Sequence, residues 1–246
     1  MLRDELERDG FAVVPGALSA AEVDLLVAAV DRVRRREAPD GHALHRIAFV
    51  GLDEAFLELL DHPTAFPLVP EVLGWNVYMY HCHLDVHPPA PDAPSHWRWH
   101  QDGGRQNVEL ASPRPLLSVK IAWFLTDVPD ADHGALRVLR GSHARDTLPR
   151  GAEPADAEPI LVQRGTAVIL DRRLWHARGD NRSSTTRIAL FYAYTHRWIR
   201  PRDELDLDPA LLERLDPVKR QLLGAGTSAI GYWIPTDDDV PLRALA

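Results

Sequence analysis

Near the middle of the chain stands the segment His96-Trp97-Arg98-Trp99-His100-Gln101-Asp102-Gly103-Gly104, on which the interpretation of the whole sequence depends. If residues 97–102 form a strand, side-chain alternation places His100 and Asp102 on one face. An imidazole beside a carboxylate supplies two of the three ligands of a 2-His-1-carboxylate site, which leaves positions open on Fe(II). A lone His-x-Asp pair is more often part of an ordinary surface strand, so the metal hypothesis needs a third ligand elsewhere.

Composition limits the classes of partner. The 246 residues are 45% hydrophobic and 26% charged, as in a globular protein large enough for one substantial core. The net charge of −8 argues against nucleic acid, because binding a phosphate backbone relies on clustered Lys and Arg. No apolar run is long enough for a membrane span, so no membrane partner is expected. Cys82 is the only cysteine, which predicts no internal disulfide and a reducing, cytoplasmic location.

Helical patterns dominate the first 74 residues. Ser19 and Glu22 match a capping box, and apolar residues behind them recur at helical spacing, which predicts an amphipathic helix over residues 20–36. Shorter helices are predicted at 2–8, 54–60 and 65–73, and a helical run near the C-terminus at 209–223.

Strand patterns dominate the rest of the chain. Short apolar or alternating runs predict strands at 11–15, 77–87, 116–126, 136–139, 160–163, 167–170 and 187–194. Since strands and helices do not alternate, the sequence predicts a mainly β fold, an antiparallel sandwich or jelly roll packed against N-terminal helices. One domain over residues 1–246 is expected, with a helical part at about 1–74, a jelly-roll core at about 75–198, and a C-terminal helix and tail at 199–246.

A third ligand and a fixed cation complete the pattern downstream. His176 directly follows an apolar strand, whereas His133, His143 and His196 fall at turns or strand ends. Arg187 opens another apolar strand, where a buried guanidinium is costly without an anion. A 2-oxoacid that chelates Fe(II) leaves a distal carboxylate that such an arginine would bind. The alternatives are that His176 is a packed core histidine and that Arg187 pairs with an acid such as Asp171 or Asp180.

Four ordered motifs resemble the phytanoyl-CoA dioxygenase family of Fe(II)/2-oxoglutarate oxygenases. They are Trp99-His100-Gln101-Asp102, then Ile121-Ala122-Trp123-Phe124-Leu125-Thr126-Asp127, then Gly134-Ala135-Leu136-Arg137-Val138-Leu139-Arg140-Gly141-Ser142-His143, and His176-Ala177-Arg178-Gly179-Asp180-Asn181-Arg182-Ser183 through Arg187. The resemblance covers residues 9–225 and implies a double-stranded β-helix, a cupin-like jelly roll.

The resemblance also implies roles for individual residues. His100, Asp102 and His176 would bind iron, and Arg187 would hold the distal carboxylate of 2-oxoglutarate. Trp123, one strand over, would line the same pocket. Two weaker matches, His83 and Arg46, would reach the co-substrate; the alternatives are a polar residue on a strand face for His83 and a surface arginine for Arg46.

The activity implied is decarboxylation of 2-oxoglutarate to succinate with O2, coupled to hydroxylation of an unactivated C–H bond. An intact Asp102 argues against halogenation, which needs a small residue there. Arg105, His81 and Asp85 are candidate substrate contacts, with a surface arginine as the alternative for Arg105. A small metabolite or natural-product intermediate is the expected substrate. Two alternatives are a cupin-like metalloenzyme that does not use 2-oxoglutarate and a non-catalytic relative that binds a small molecule.

Overall fold

A computed structural model describes residues 1–92, 98–145, 154–225 and 230–245 of the chain. The six α-helices of this part are α1 (Leu2–Asp9), α2 (Ala20–Glu37), α3 (Leu68–Leu73), α4 (Gln106–Glu109), α5 (Pro209–Arg214) and α6 (Pro217–Leu222). The nine strands are β1 (Phe11–Val14), β2 (Leu44–Ile47), β3 (Val77–His87), β4 (Ser118–Phe124), β5 (Leu136–Val138), β6 (Glu158–Ile160), β7 (Thr166–Asp171), β8 (His176–Arg178) and β9 (Arg187–His196). Short 3₁₀ helices cover Val50–Leu52, Glu54–Leu59, Ser142–Ala144, Ile230–Tyr232, Asp237–Asp239 and Pro241–Leu245.

The strands form two antiparallel sheets. The major sheet has the order β1-β7-β4-β9-β3-β2, and the minor sheet has the order β6-β5-β8. Neighbours in the major sheet come from distant parts of the sequence, so the chain crosses between the sheets repeatedly. This two-sheet arrangement confirms the predicted mainly β jelly roll.

Alternation along β4 separates two apolar cores. Ile121 and Trp123 pack with the helices on the outer face of the major sheet, whereas Ala122 and Phe124 lie between the two sheets. All seven residues of β4 are buried because both faces of the strand are covered. The space between the sheets is therefore the interior of the fold.

The helix α2 begins as predicted. Ser19 accepts a hydrogen bond from the Glu22 backbone N–H, and the Glu22 carboxylate accepts from the Ser19 N–H at 2.7 Å. Near the C-terminus, the single helical run predicted for 209–223 is two helices, because Asp216 caps a second helix that begins at Pro217. No helix of the described residues is both long and apolar enough to cross a membrane.

The strand considered for residues 97–102 is not formed by the described residues 98–102. Trp97 lies outside them, and His100 makes a single β-bridge to His176, after which the chain turns at 102–105. The bridge has two backbone hydrogen bonds, each 3.0 Å. It places the His-x-Asp segment beside β8, which begins at His176.

Candidate active site

Three potential metal ligands converge between the sheets. His100 comes from the bridged segment, Asp102 from the turn that follows it, and His176 from the start of β8. One ligand atom from each lies within 4.8 Å of the other two. The Nε2 atoms of His100 and His176 lie 3.8 and 3.9 Å from Asp102 Oδ1. This spacing suits three atoms arranged around one ion rather than hydrogen-bonded to each other.

Backbone carbonyls fix both imidazoles. His100 Nδ1 donates to the Arg98 carbonyl at 2.8 Å, and His176 Nδ1 donates to the Leu174 carbonyl at 2.9 Å. Because each Nδ1 donates to a carbonyl, each Nε2 is the ring nitrogen that offers a lone pair in the neutral imidazole. Neither Nε2 has a hydrogen-bond partner among the described residues. Burial lowers the pKa of His176 to about 3, which keeps that ring neutral. The pair is prepared to bind a metal.

A buried lysine orients the carboxylate. Lys120 of β4 is 7% exposed and lies 2.5 Å, through Nζ, from Asp102 Oδ2. Burial opposes ionisation of Asp102, but Lys120 and the two histidines outweigh it and hold its pKa well below the ordinary range. With Oδ2 engaged by Lys120, Oδ1 is the oxygen that faces both imidazoles.

A second charged cluster lies at the start of β9. Arg187 is 2% exposed, and its Nη1 donates to Asp85 Oδ2 at 2.5 Å. Arg178 reaches the other oxygen of Asp85 at 3.2 Å but is half exposed. Burial raises the pKa of Asp85, yet His45 and the two arginines lower it far more. Arg187 Nε is buried and has no hydrogen-bond partner among the described residues, so one edge of the guanidinium has unused donor capacity within this part of the chain.

A β-bulge aligns the polar face of β3. The register with β9 shifts between Met79 and His81. As a result Val77 and Met79 pack against the helices, whereas His81 and the alternate residues after it face the cavity between the sheets. Uninterrupted alternation would put Val77 and Met79 on the same face as His81, but the bulge adds a residue and switches the alternation.

The cavity joins the two clusters. It has a volume of about 610 Å³ and is lined by the His-Asp-His group, Lys120, Arg187 and the polar residues of β3. Such a volume is ordinary for a site that takes small molecules. The cavity is thus lined by both a metal-binding group and a buried guanidinium, the two features that binding of a chelating 2-oxoacid requires.

Comparison with known proteins agrees with this geometry. The family model described as phytanoyl-CoA dioxygenase (PhyH) matches residues 6–189. The chain belongs to the PhyH family. An ectoine dioxygenase of Stutzerimonas stutzeri is 23% identical over 79% of this chain and 76% of its own length. Dioxygenase af480 of Aspergillus fumigatus is 26% identical over 94% of this chain and 78% of its own length.

A solved structure extends the comparison to the fold. HygX from Streptomyces hygroscopicus, crystallised with nickel and 2-oxoglutarate bound, aligns with a TM-score of 0.68 at 16% identity, over 85% of this chain and 93% of HygX. The predicted double-stranded β-helix is therefore confirmed. This PhyH family member is an Fe(II)- and 2-oxoglutarate-dependent dioxygenase, whose other co-substrate is O2.

Three predicted site residues of this PhyH protein lie elsewhere. Trp123 is fully buried on the helix side of β4, 5.2 Å from the His62 ring, because alternation turns it away from the cavity. Arg46 pairs with Leu84 in the sheet register and so faces away from the cavity, with Nε 3.0 Å from Glu37. Arg105 is 80% exposed, pairs with Glu109 at 2.6 Å and is not among the residues that line the cavity.

The remaining predicted residues lie in or beside the cavity. His81 and His83 both line the cavity. Asp85 also lines it, but both of its oxygens face arginines, so its structural role is to hold Arg187.

Several residues of the site were not singled out from the sequence. Lys120 interrupts an apolar strand, as Arg187 does, so the cost of burying a charge could have identified it. His45 and His87 carry no such sign, since each is one histidine among twelve. Asp203 lies far along the chain from β3, and only the folded structure places it beside His81.

Proposed function

We propose that this protein hydroxylates a C–H bond of a small-molecule substrate, with iron held by His100, Asp102 and His176. The observation that carries the proposal is the convergence of two free Nε2 lone pairs and one carboxylate oxygen within 4.8 Å. These three residues would hold Fe(II), and a 2-His-1-carboxylate set would leave positions free for the co-substrate and O2. When bound, iron with 2-oxoglutarate and O2 supplies the oxidising chemistry and yields succinate and CO2.

The chain's own residues orient these groups. Lys120 engages Oδ2 of Asp102, which would leave Oδ1 as the oxygen to hold the metal. Arg187, whose Nε has no partner in the part of the chain that the structure describes, is the residue to bind the distal carboxylate of 2-oxoglutarate. The apolar rings of Phe124 and Phe191 lie 5.5 and 5.9 Å below the guanidinium and limit its movement.

A cavity of about 610 Å³ supports a small substrate beside 2-oxoglutarate. The relative named as an ectoine dioxygenase also favours a small-molecule substrate. Asp102 supplies the carboxylate of the metal-binding group, which supports hydroxylation as the outcome rather than transfer of a halide.

Anaerobic spectroscopy tests the proposal. Fe(II) added to the protein should bind, and 2-oxoglutarate should then produce a weak visible metal-to-ligand charge-transfer band. His176→Ala should lose the band by losing the metal, and Arg187→Met should lose it while still binding Fe(II). Arg178→Met is the matched control, since Arg178 contacts the same aspartate from an exposed position, and it should keep the band.

The opposite results separate the alternatives. Metal binding without a band in the wild-type protein would refute use of 2-oxoglutarate and favour a cupin-like metalloenzyme. A band without succinate release in the presence of O2 would instead favour a non-catalytic relative.

A further inference from the structure

A hydrogen-bond chain runs into the active-site cavity from behind β3. The Asp203 carboxylate lies 2.8 and 2.9 Å from His81 Nδ1, and it also accepts from the Cys82 backbone N–H at 2.8 Å. His81 Nε2 in turn lies 3.2 Å from His83 Nδ1. Asp203 and His81 are 7% and 3% exposed, so water does not compete for these bonds.

When both rings are neutral, the hydrogen bonds between Asp203, His81 and His83 can run in only one donor-to-acceptor direction. A carboxylate can only accept, so His81 Nδ1 carries the proton and His81 Nε2 is an acceptor. His83 Nδ1 must then donate to it, which leaves His83 Nε2 as a bare lone pair. Burial lowers the pKa of both histidines, and Lys120 adds to the effect at His83.

The imidazole of His83 is held in the cavity wall. Its ring stacks on Phe191 with centroids 4.2 Å apart and planes 11° apart, and the His81 ring stacks on it at 5.2 Å. The half-buried His83 lines the cavity, and its Nε2 has no partner among the described residues. The fold therefore presents a fixed hydrogen-bond acceptor to whatever occupies the cavity.

2-Oxoglutarate is a poor match for this acceptor. At neutral pH its two carboxylates and its keto group only accept hydrogen bonds, and two acceptors placed together leave both unsatisfied. A hydroxyl or an ammonium group supplies the missing donor. The expectation that His83 contacts the co-substrate therefore conflicts with the direction of these hydrogen bonds, which leaves His83 Nε2 as an acceptor.

We propose that His83 is a specificity-determining residue that accepts a hydrogen bond from a hydroxyl or ammonium group of the substrate. Asp203 and His81 are positioning residues that set its direction. The proposal rests on the proposed function, because it assumes that 2-oxoglutarate takes the Arg187 end of the cavity.

Asp203→Asn offers a sharp test because it should reverse the direction of donation along these hydrogen bonds. The Asn carbonyl keeps the bond from the Cys82 N–H, so its NH2 group faces His81 Nδ1 and donates to it. His81 is then protonated on Nε2 and donates to His83 Nδ1, and His83 presents an N–H to the cavity. Glu204→Gln, an exposed neighbour that undergoes the same chemical change, is the matched control.

Nitrogen-15 NMR of histidine-labelled, metal-free protein reads the tautomers directly, with His83→Gln to assign the signal. We expect His83 Nε2 to be unprotonated in the wild type and in Glu204→Gln, and protonated in Asp203→Asn. A protonated Nε2 in the wild type would overturn the proposal, and so would an unchanged tautomer in a folded Asp203→Asn protein. This result does not depend on the proposed function.

Binding measurements on the Zn²⁺-loaded protein then identify the neighbour of His83. The 2-oxoglutarate Kd should change less than twofold in Asp203→Asn; tightening of about tenfold would mean that His83 faces the co-substrate, which defeats this proposal alone. Failure of the wild type to bind 2-oxoglutarate at all would instead defeat the proposed function.

Paired probes test the donor itself. With 2-oxoglutarate present, a panel of small alcohols and amines is compared with the corresponding methyl ethers and quaternary trimethylammonium compounds, which have no O–H or N–H to donate. The wild type should bind the preferred donor about tenfold more tightly than its methylated partner. Asp203→Asn and His83→Phe, which keeps the stacking on Phe191, should lose that preference. Absence of any preference in the wild type would overturn the proposal.

Discussion

Removing the Arg187 guanidinium should leave the buried Asp85 carboxylate without its closest counter-charge. Arg187 and Asp85 are 2% and 4% exposed and form an ion pair of 2.5 Å. Breaking such a pair by deleting one partner typically costs about 3–5 kcal/mol. Because Arg178 still reaches Asp85 at 3.2 Å, Arg187→Met should cost about 3 kcal/mol of unfolding free energy. In a protein of this length that lowers the Tm by roughly 6–12 °C.

The matched control is Arg178→Met. Arg178 contacts the same carboxylate but is half exposed, so its loss should cost about 0–1 kcal/mol. The double variant Asp85→Leu/Arg187→Met removes both buried charges and should be more stable than Arg187→Met alone. All variants are compared by urea unfolding of metal-free protein at pH 7, and 2-oxoglutarate binding is measured separately.

Equal losses in Arg187→Met and Arg178→Met would refute the reasoning, because burial would then not govern the cost. If the double variant loses as much unfolding free energy as Asp85→Leu and Arg187→Met lose together, the pairing itself is refuted. Retained 2-oxoglutarate affinity in a folded Arg187→Met protein would separate stability from function and remove Arg187 from the proposed site.

Further predictions concern other parts of the fold. Trp123→Ala should lower the unfolding free energy by about 3–5 kcal/mol without changing the 2-oxoglutarate Kd of the remaining folded protein; a weaker Kd would return this residue to the pocket. Ser19→Ala should cost about 1 kcal/mol in urea unfolding, and no loss would contradict the capping box. Burial raises the pKa of Cys82 to about 12, so alkylation should track global unfolding rather than thiol titration. The lowered pKa of Asp85 contributes stability above about pH 4 that is lost as the pH falls further, and Asp85→Asn should show a flatter acid profile.

Local patterns predicted the elements well where a single periodicity applied. The capping box at Ser19 and the apolar spacing behind it describe α2, because both depend only on residues three or four apart. The strand expected at 97–102 is absent from the described residues, since His100 is held by one bridge to a distant strand. The proposed single-domain division of the chain stays a prediction.

Facing direction was the least predictable property of the site. Trp123 belongs to a motif of the family resemblance, yet strand alternation sends it to the helix side while Lys120 faces the metal ligands. The bulge between Met79 and His81 switches the face of β3 in the same way. One residue of register reverses the direction of every later side chain, and local sequence does not reveal it.

By itself, the sequence determined which residue types of the site follow one another along the chain. They are a His-x-Asp pair, a later histidine after an apolar strand, and an arginine at the start of another apolar strand. Those residues were recognisable because each is of a type that its local pattern does not otherwise explain. Only the tertiary structure decided which residues pair with each other. It places Asp85 beside Arg187, and it places Asp203 beside His81, 122 positions away in the sequence. The physical reason is that a buried charge needs a counter-charge in space, and sheet pairing brings together residues far apart along the chain.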